Sequence, residues 1–67
     1  MKLIQELGAK IEKYTRQLFE SGYSYEDARE MVKLTFEETG LKFQGFFELD
    51  KEDLKNTIAH LDKTFAK

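Results

Sequence analysis

His60 is the only histidine of the chain, and it is the first residue that could serve as a metal ligand or a general base. A zinc site takes several cysteine, histidine or carboxylate ligands, and this chain has no cysteine and no second histidine. As a general base, an imidazole needs a nucleophile held beside it. His60 lies two residues after Ile58 and directly before Leu61, off the apolar positions of its segment. We therefore expect a surface or boundary histidine.

Acidic side chains are the other candidates for chemistry, because paired carboxylates catalyse hydrolysis when they face each other across a cleft. The adjacent acidic pairs are Glu26–Asp27, Glu37–Glu38 and Glu52–Asp53. Two of these pairs fall at predicted helix starts, where acids stabilise the positive end of the helix dipole. Residues 50–53 also lack the alternating ligands and central glycine of a calcium loop, and no glycine-rich phosphate loop is present. We expect no enzymatic activity, no metal and no cofactor.

Charge is unevenly distributed along the chain, although the formal net charge is only −2. Residues 1–19 and 54–67 each carry an excess of two bases, whereas residues 20–53 contain ten acids and four bases. Proteins that bind nucleic acid normally concentrate basic residues on one face. The acidic middle of the chain therefore argues against direct binding to nucleic acid.

Three segments have the spacing of amphipathic helices, with apolar residues recurring every three or four positions. In residues 2–20 the stripe is Ile4, Leu7, Ile11, Tyr14 and Leu18, widened by Leu3 and Phe19. In residues 25–39 the inward positions are Ala28, Met31, Val32, Thr35 and Phe36. In residues 51–65 they are Leu54, Ile58, Leu61 and Phe65.

Glycines and capping residues mark the boundaries of these segments. Gly22 and Gly40 follow the first two segments, where glycine is favoured in the left-handed conformation after a last turn. Ser24 and Asp50 precede the second and third segments, as N-caps do. The sequence predicts an all-α fold. We expect one three-helix domain over residues 1–67, with helices at about 2–20, 25–39 and 51–65 and an apolar connector at 40–50.

The connector is unusual, because loops are normally polar and run over the surface. Its large apolar residues are Leu41, Phe43, Phe46, Phe47 and Leu49. In an extended chain Phe43 and Phe47 share one side while Phe46 points to the other, and three helices can hardly bury both sides. The connector is therefore a lid on the core or a contact surface. Burial of one phenylalanine, worth about 1.5–3 kcal/mol, is enough to anchor such a contact.

These features favour a small, acidic, non-enzymatic protein that binds another protein, as a regulator or inhibitor of the size encoded by phages and other mobile elements. The expected partner has a basic groove, as a nucleic-acid-binding host protein does, since spaced carboxylates on rigid helices can mimic nucleic acid. The predicted protein-binding residues are Phe43, Phe46, Phe47, Glu48, Asp50, Glu52 and Asp53.

Two other functions fit the sequence. The apolar stripes of the first and third segments are spaced like coiled-coil seams, which predicts a helical homodimer with a structural or assembly role. A small transcriptional regulator could instead bind DNA through the basic residues Lys2, Lys10, Lys13 and Arg16. No window approaches the roughly 20 apolar residues of a membrane-spanning helix, and charged residues interrupt any signal-like N-terminus. We expect no membrane partner and a cytoplasmic location.

Overall fold

A computed structural model describes residues 2–45 and 48–66, and these residues form three α-helices. The helices are α1 (Leu3–Glu20), α2 (Tyr25–Glu37) and α3 (Lys51–Phe65). The predicted all-α three-helix fold is confirmed, and each helix boundary lies within two residues of its predicted position. Over the described residues, none of the helices combines the length and the hydrophobicity that a bilayer-spanning segment needs.

The apolar stripe of α1 faces the interior, as its spacing predicts. Leu7 and Tyr14 are buried, and Ile11 and Leu18 pack partly against the core. Phe19 differs from its predicted place in this stripe, since 51% of its surface is exposed. Its side chain is rotated by about 100° from that of Leu18 around the helix axis, which carries it off the buried face.

A Schellman motif ends α1 and turns the chain into α2. Gly22 has a φ of +114°, in the left-handed region where glycine is favoured. The N–H groups of Gly22 and Tyr23 donate to the carbonyls of Phe19 and Leu18 at 3.1 and 3.3 Å. These two bonds satisfy carbonyls that the end of a helix otherwise leaves free. The turn is thus held by backbone hydrogen bonds, and the predicted role of Gly22 is correct.

Both predicted N-caps are also present. The Oγ of Ser24 accepts a hydrogen bond from the backbone N–H of Asp27 at 3.1 Å. Asp50 Oδ1 accepts one from the backbone N–H of Asp53 at 2.9 Å. Each cap accepts a hydrogen bond from a backbone N–H group that has no partner within the first turn of the helix. α2 ends at Glu37, two residues before its predicted end, and Gly40, with a φ of +89°, closes the turn that follows it.

The core lies where the three helices meet. Its buried apolar residues are Leu7, Tyr14, Ala28, Val32, Phe36, Leu54, Ile58 and Leu61. The stripes of α1 and α3 are therefore occupied within one chain, so their coiled-coil spacing gives no support to the predicted homodimer. The connector contributes Leu41, Phe43 and Leu49, which pack against the core from its edge.

Side-chain contacts place α3 beside α1 and parallel to it. Asp62 accepts a hydrogen bond from the hydroxyl of Tyr14 and forms a salt bridge with Lys10 at 3.1 Å. One turn further on, the side-chain amide of Gln17 donates to the carbonyl of Phe65 at 2.9 Å. The starts of α1 and α3 therefore lie at one end of the bundle. The end of α1 and the start of α2 lie at the other.

Candidate protein-binding surface

Phe43, the first of the predicted binding residues, packs inward. Its ring meets the buried ring of Phe36 edge to face, with centroids 5.3 Å apart. Its backbone N–H donates to Glu37 Oε2 at 3.2 Å, and its side chain is half-buried. At this position the connector is a lid on the core. Phe43 thus holds the connector in place and offers a partner only part of its ring.

Phe46 and Phe47 lie outside the residues that the structure describes. Their proposed role in binding stays a prediction. The connector on either side of them is fixed to the domain. Before them Phe43 packs on the core, and after them Leu49 does the same.

Four predicted acidic residues lie together at the start of α3 and form what we call the acidic face: Glu48, Asp50, Glu52 and Asp53. Three of them are exposed, and Asp53 is half-buried. Lys51 is the single base among residues 48–53, so the face carries a strong local negative charge. The carboxylate of Asp50 also caps α3. Asp50, Glu52 and Asp53 are therefore held on a hydrogen-bonded helix start, and Glu48 lies two residues before its cap.

Tyr14, Asp62 and Lys10 form a second group of titratable side chains, between α1 and α3. Burial, the hydrogen bond to Asp62 and the charge of Asp62 raise the pKa of Tyr14 to about 12. The hydrogen bond from Tyr14, with help from Lys10, lowers the pKa of Asp62 below its usual value. The phenol is buried and the carboxylate is already paired with two donors. This group joins α1 to α3 through a hydrogen bond and a salt bridge.

His60 has a partner that the sequence did not indicate. Its Nε2 lies 2.8 Å from Glu38 Oε1, just beyond the end of α2. The side chains of His60 and Glu38 are 32% and 62% exposed, so the contact sits at the surface. It links the end of α2 to the middle of α3, a structural role that agrees with the expected boundary position.

The remaining acids form no metal-binding cluster within the described part of the chain. No group of three or more histidine, cysteine or carboxylate side chains there could hold a metal ion. Glu26 and Asp27 are both exposed at the first turn of α2. Exposed carboxylates in a helix start do not face one another across a dry cleft, as a hydrolytic pair does.

The basic residues of α1 are partly engaged within the domain. Lys10 pairs with Asp62, and the Nζ of Lys13 lies 5.4 Å from the centre of the Tyr14 ring. Lys2 and Arg16 are exposed at different positions along the helix. A DNA-binding face needs several bases free to contact phosphates, and only part of this set is free.

Three exposed aromatic side chains were not among the predicted binding residues, and we name them the aromatic corner: Phe19, Tyr23 and Tyr25. They are 51%, 46% and 54% exposed. The rings of Phe19 and Tyr25 are in edge-to-face contact, with centroids 6.1 Å apart. The sequence feature that indicates their exposure is the position of each residue. Phe19 lies off the buried stripe, and the two tyrosines flank the N-cap Ser24, where the chain is turning at the surface.

Comparison with known proteins gives no family for this chain, since no family model, no curated protein and no solved structure matches it significantly.

Proposed function

We propose that this protein is a non-enzymatic regulator or inhibitor that docks on a basic surface of a larger protein. The observation that carries the proposal is the acidic face, with Asp50 and Glu52 exposed on one capped helix start and Glu48 exposed two residues before the cap. Carboxylates held at fixed spacing can match a groove that otherwise receives phosphates. A nucleic-acid-binding protein is the partner class that offers such a groove.

The connector supports this proposal by positioning the acidic face. Phe43 and Leu49 pack against the core on either side of residues 44–48. A charged surface on a fixed backbone loses little conformational entropy on binding, which favours affinity. Phe46 and Phe47 are proposed as the apolar anchor beside the charges, since a buried aromatic side chain is the commonest centre of a binding interface.

Affinity capture with charge-matched variants tests the proposal. Glu48→Gln with Glu52→Gln removes two charges from the acidic face and leaves the cap at Asp50 intact. Glu12→Gln with Glu30→Gln removes two exposed charges elsewhere and is the control. We expect wild type and control to retain a specific protein from a host lysate, and the acidic-face variant to lose it. Equal retention by all three would contradict the proposal.

Two further measurements, of salt dependence and of competition by DNA, identify the kind of partner. Binding to a basic groove should weaken steeply as the salt concentration rises, and double-stranded DNA should compete for the captured protein. Phe46→Asp with Phe47→Asp, checked by circular dichroism, tests the apolar anchor. If this variant stays folded and still captures the partner, the two phenylalanines do not belong to the interface.

A further inference from the structure

The aromatic corner is a surface that the proposed function does not use. Phe19, Tyr23 and Tyr25 are each about half exposed, whereas the other described aromatic residues are buried or half-buried: Tyr14, Phe36, Phe43 and Phe65. Their positions are fixed by the Schellman motif at Gly22 and by the Ser24 cap. An aromatic patch on a hydrogen-bonded turn is pre-organised for binding, because little ordering remains to be done.

Charged residues of both signs lie next to the aromatic corner along α1 and α2. On α1, Arg16 lies one turn before Phe19, and Glu20 directly follows Phe19. On α2, Glu26 directly follows Tyr25, and Arg29 lies one turn after Tyr25. All four charged residues are exposed. A purely basic or purely acidic partner would meet like charges somewhere on this rim. A rim of mixed sign around an apolar centre can be complementary to a second copy of itself, which a two-fold interface requires.

We propose that the aromatic corner is the contact surface of a homodimer with two-fold symmetry. Phe19, Tyr23 and Tyr25 meet their copies at the centre, and the arginines of each protomer face acids of the other. The proposal is independent of the acidic face and of the partner that it binds. It also differs from a coiled-coil dimer, because the stripes of α1 and α3 remain inside each protomer.

The size of the corner sets the strength of the dimer. An aromatic side chain has roughly 150–250 Å² to bury, so three half-exposed ones offer about 300 Å² per protomer. Stable complexes bury about 800 Å² per partner. Even with its charged rim the interface is small, and we expect a dimer that forms at micromolar to millimolar concentration.

Analytical ultracentrifugation over that concentration range tests the proposal. The average mass of the wild type should rise from 7.9 kDa towards twice that value. Phe19→Gln with Tyr25→Gln should weaken dimerisation by at least about tenfold, which corresponds to about 1.4 kcal/mol. Leu34→Gln is the matched control, since Leu34 is 55% exposed and Tyr25 54%, and it should dimerise like the wild type.

A pair of charge variants tests the rim without changing the aromatic residues. Arg16→Glu with Arg29→Glu makes the rim acidic, and Glu20→Lys with Glu26→Lys makes it largely basic. Each variant alone should stay monomeric, because its copies repel, whereas an equimolar mixture should form a heterodimer. These positions are exposed, so the test holds even if the aromatic variant unfolds.

Three results would overturn the proposal. The wild type could keep a mass of 7.9 kDa up to millimolar concentration. Leu34→Gln could weaken association as much as the aromatic variant does, which would indicate non-specific apolar contact. The two charge variants could each associate as strongly alone as when mixed, which would show that the rim is not part of the interface.

Discussion

Three buried threonines differ in where their hydroxyl groups donate. Thr15 and Thr35 each donate to the carbonyl four residues earlier, at 2.7 and 2.9 Å, a common bond for these residues within helices. Thr57 is fully buried, yet its Oγ1 has no hydrogen-bond partner in the described structure. A buried hydroxyl without a partner has lost its hydrogen bonds to water and gained none in the protein, which lowers the stability of the fold by about 1–3 kcal/mol.

We predict that Thr57→Val raises the free energy of unfolding by about 1 kcal/mol, because valine keeps the shape of threonine and has no polar group to satisfy. Thr35→Val is the control. It removes a hydroxyl that does have a partner, and should lower the free energy of unfolding by about 1 kcal/mol. Urea unfolding followed by circular dichroism measures both changes. If both variants lose stability equally, Thr57 has a partner after all.

The Tyr14–Asp62 pair predicts how stability depends on pH. The raised pKa of Tyr14 stabilises the fold fully below pH 10, and this contribution is lost as the pH rises from 10 to about 12. The lowered pKa of Asp62 gives a contribution that is present above pH 3.8 and is lost as the pH falls through its lower, folded-state value. Stability should therefore decline at both ends of the pH scale.

Tyr14→Phe isolates the alkaline part of this dependence. At pH 7 the variant should be about 1.5–3 kcal/mol less stable than the wild type, since a hydrogen bond to a charged group is lost. The difference should shrink between pH 10 and about 12, where the wild type loses the contribution of Tyr14. Urea midpoints of the two proteins over this range measure the difference. Parallel curves for the two proteins would contradict the assignment.

At the scale of the helices, two glycines occupy very different backbone positions. Gly8 lies inside α1, and a Cβ added there meets no atom within 4 Å. A close helix crossing therefore does not explain why residue 8 is glycine. Gly22 has equally open space around it, but its φ of +114° is one that other residues rarely adopt. The two sites differ in backbone conformation and not in packing.

We predict that Gly8→Ala stabilises the protein by about 1 kcal/mol, since alanine is the better helix former. For a domain of this size that raises the melting temperature by about 4–8 °C. Gly22→Ala should instead destabilise it by about 1 kcal/mol or more, because alanine is strained at positive φ. Thermal unfolding of the two variants gives shifts of opposite sign if the prediction holds. A loss of stability in Gly8→Ala would mean that α1 is strained or crowded at this residue.

Helix positions could be predicted from the sequence because their signals are local. The periodic stripes, the glycine at residue 22 and the caps at Ser24 and Asp50 all act within a few residues. Contacts between helices could not be predicted in this way. Tyr14 and Asp62 are 48 residues apart, and the pattern of either helix does not reveal which flank of its stripe meets the other.

Among the candidate binding residues, too, local features could be predicted from the sequence and contacts between distant residues could not. Exposure of Glu52 follows from its place in a capped first turn, and the structure agrees. The inward packing of Phe43 on Phe36 depends on the path of the connector. A coiled-coil spacing is also ambiguous, because a stripe has the same period whether it packs within one chain or between two. For this reason the sequence placed a homodimer contact on α1 and α3, which the core occupies.

The two candidate surfaces lie at opposite ends of the helix bundle. The acidic face lies at the start of α3, beside the start of α1, and the aromatic corner joins the end of α1 to the start of α2. The bundle is 34 Å long, whereas exposed charges are screened beyond about 8–10 Å at physiological salt. Electrostatic influence of one surface on the other should therefore be weak, and a dimer formed through the corner leaves both acidic faces free.

We predict that variants of the two surfaces act independently. Glu48→Gln with Glu52→Gln should weaken partner binding and leave the dimerisation constant unchanged. Phe19→Gln with Tyr25→Gln should weaken dimerisation and leave partner binding unchanged. Partner binding is measured for this comparison at a concentration where the wild type is monomeric. The combined variant should show both losses in full, since distant sites without shared contacts have additive effects. Weaker partner binding by the monomeric aromatic variant would show instead that the partner also contacts the corner.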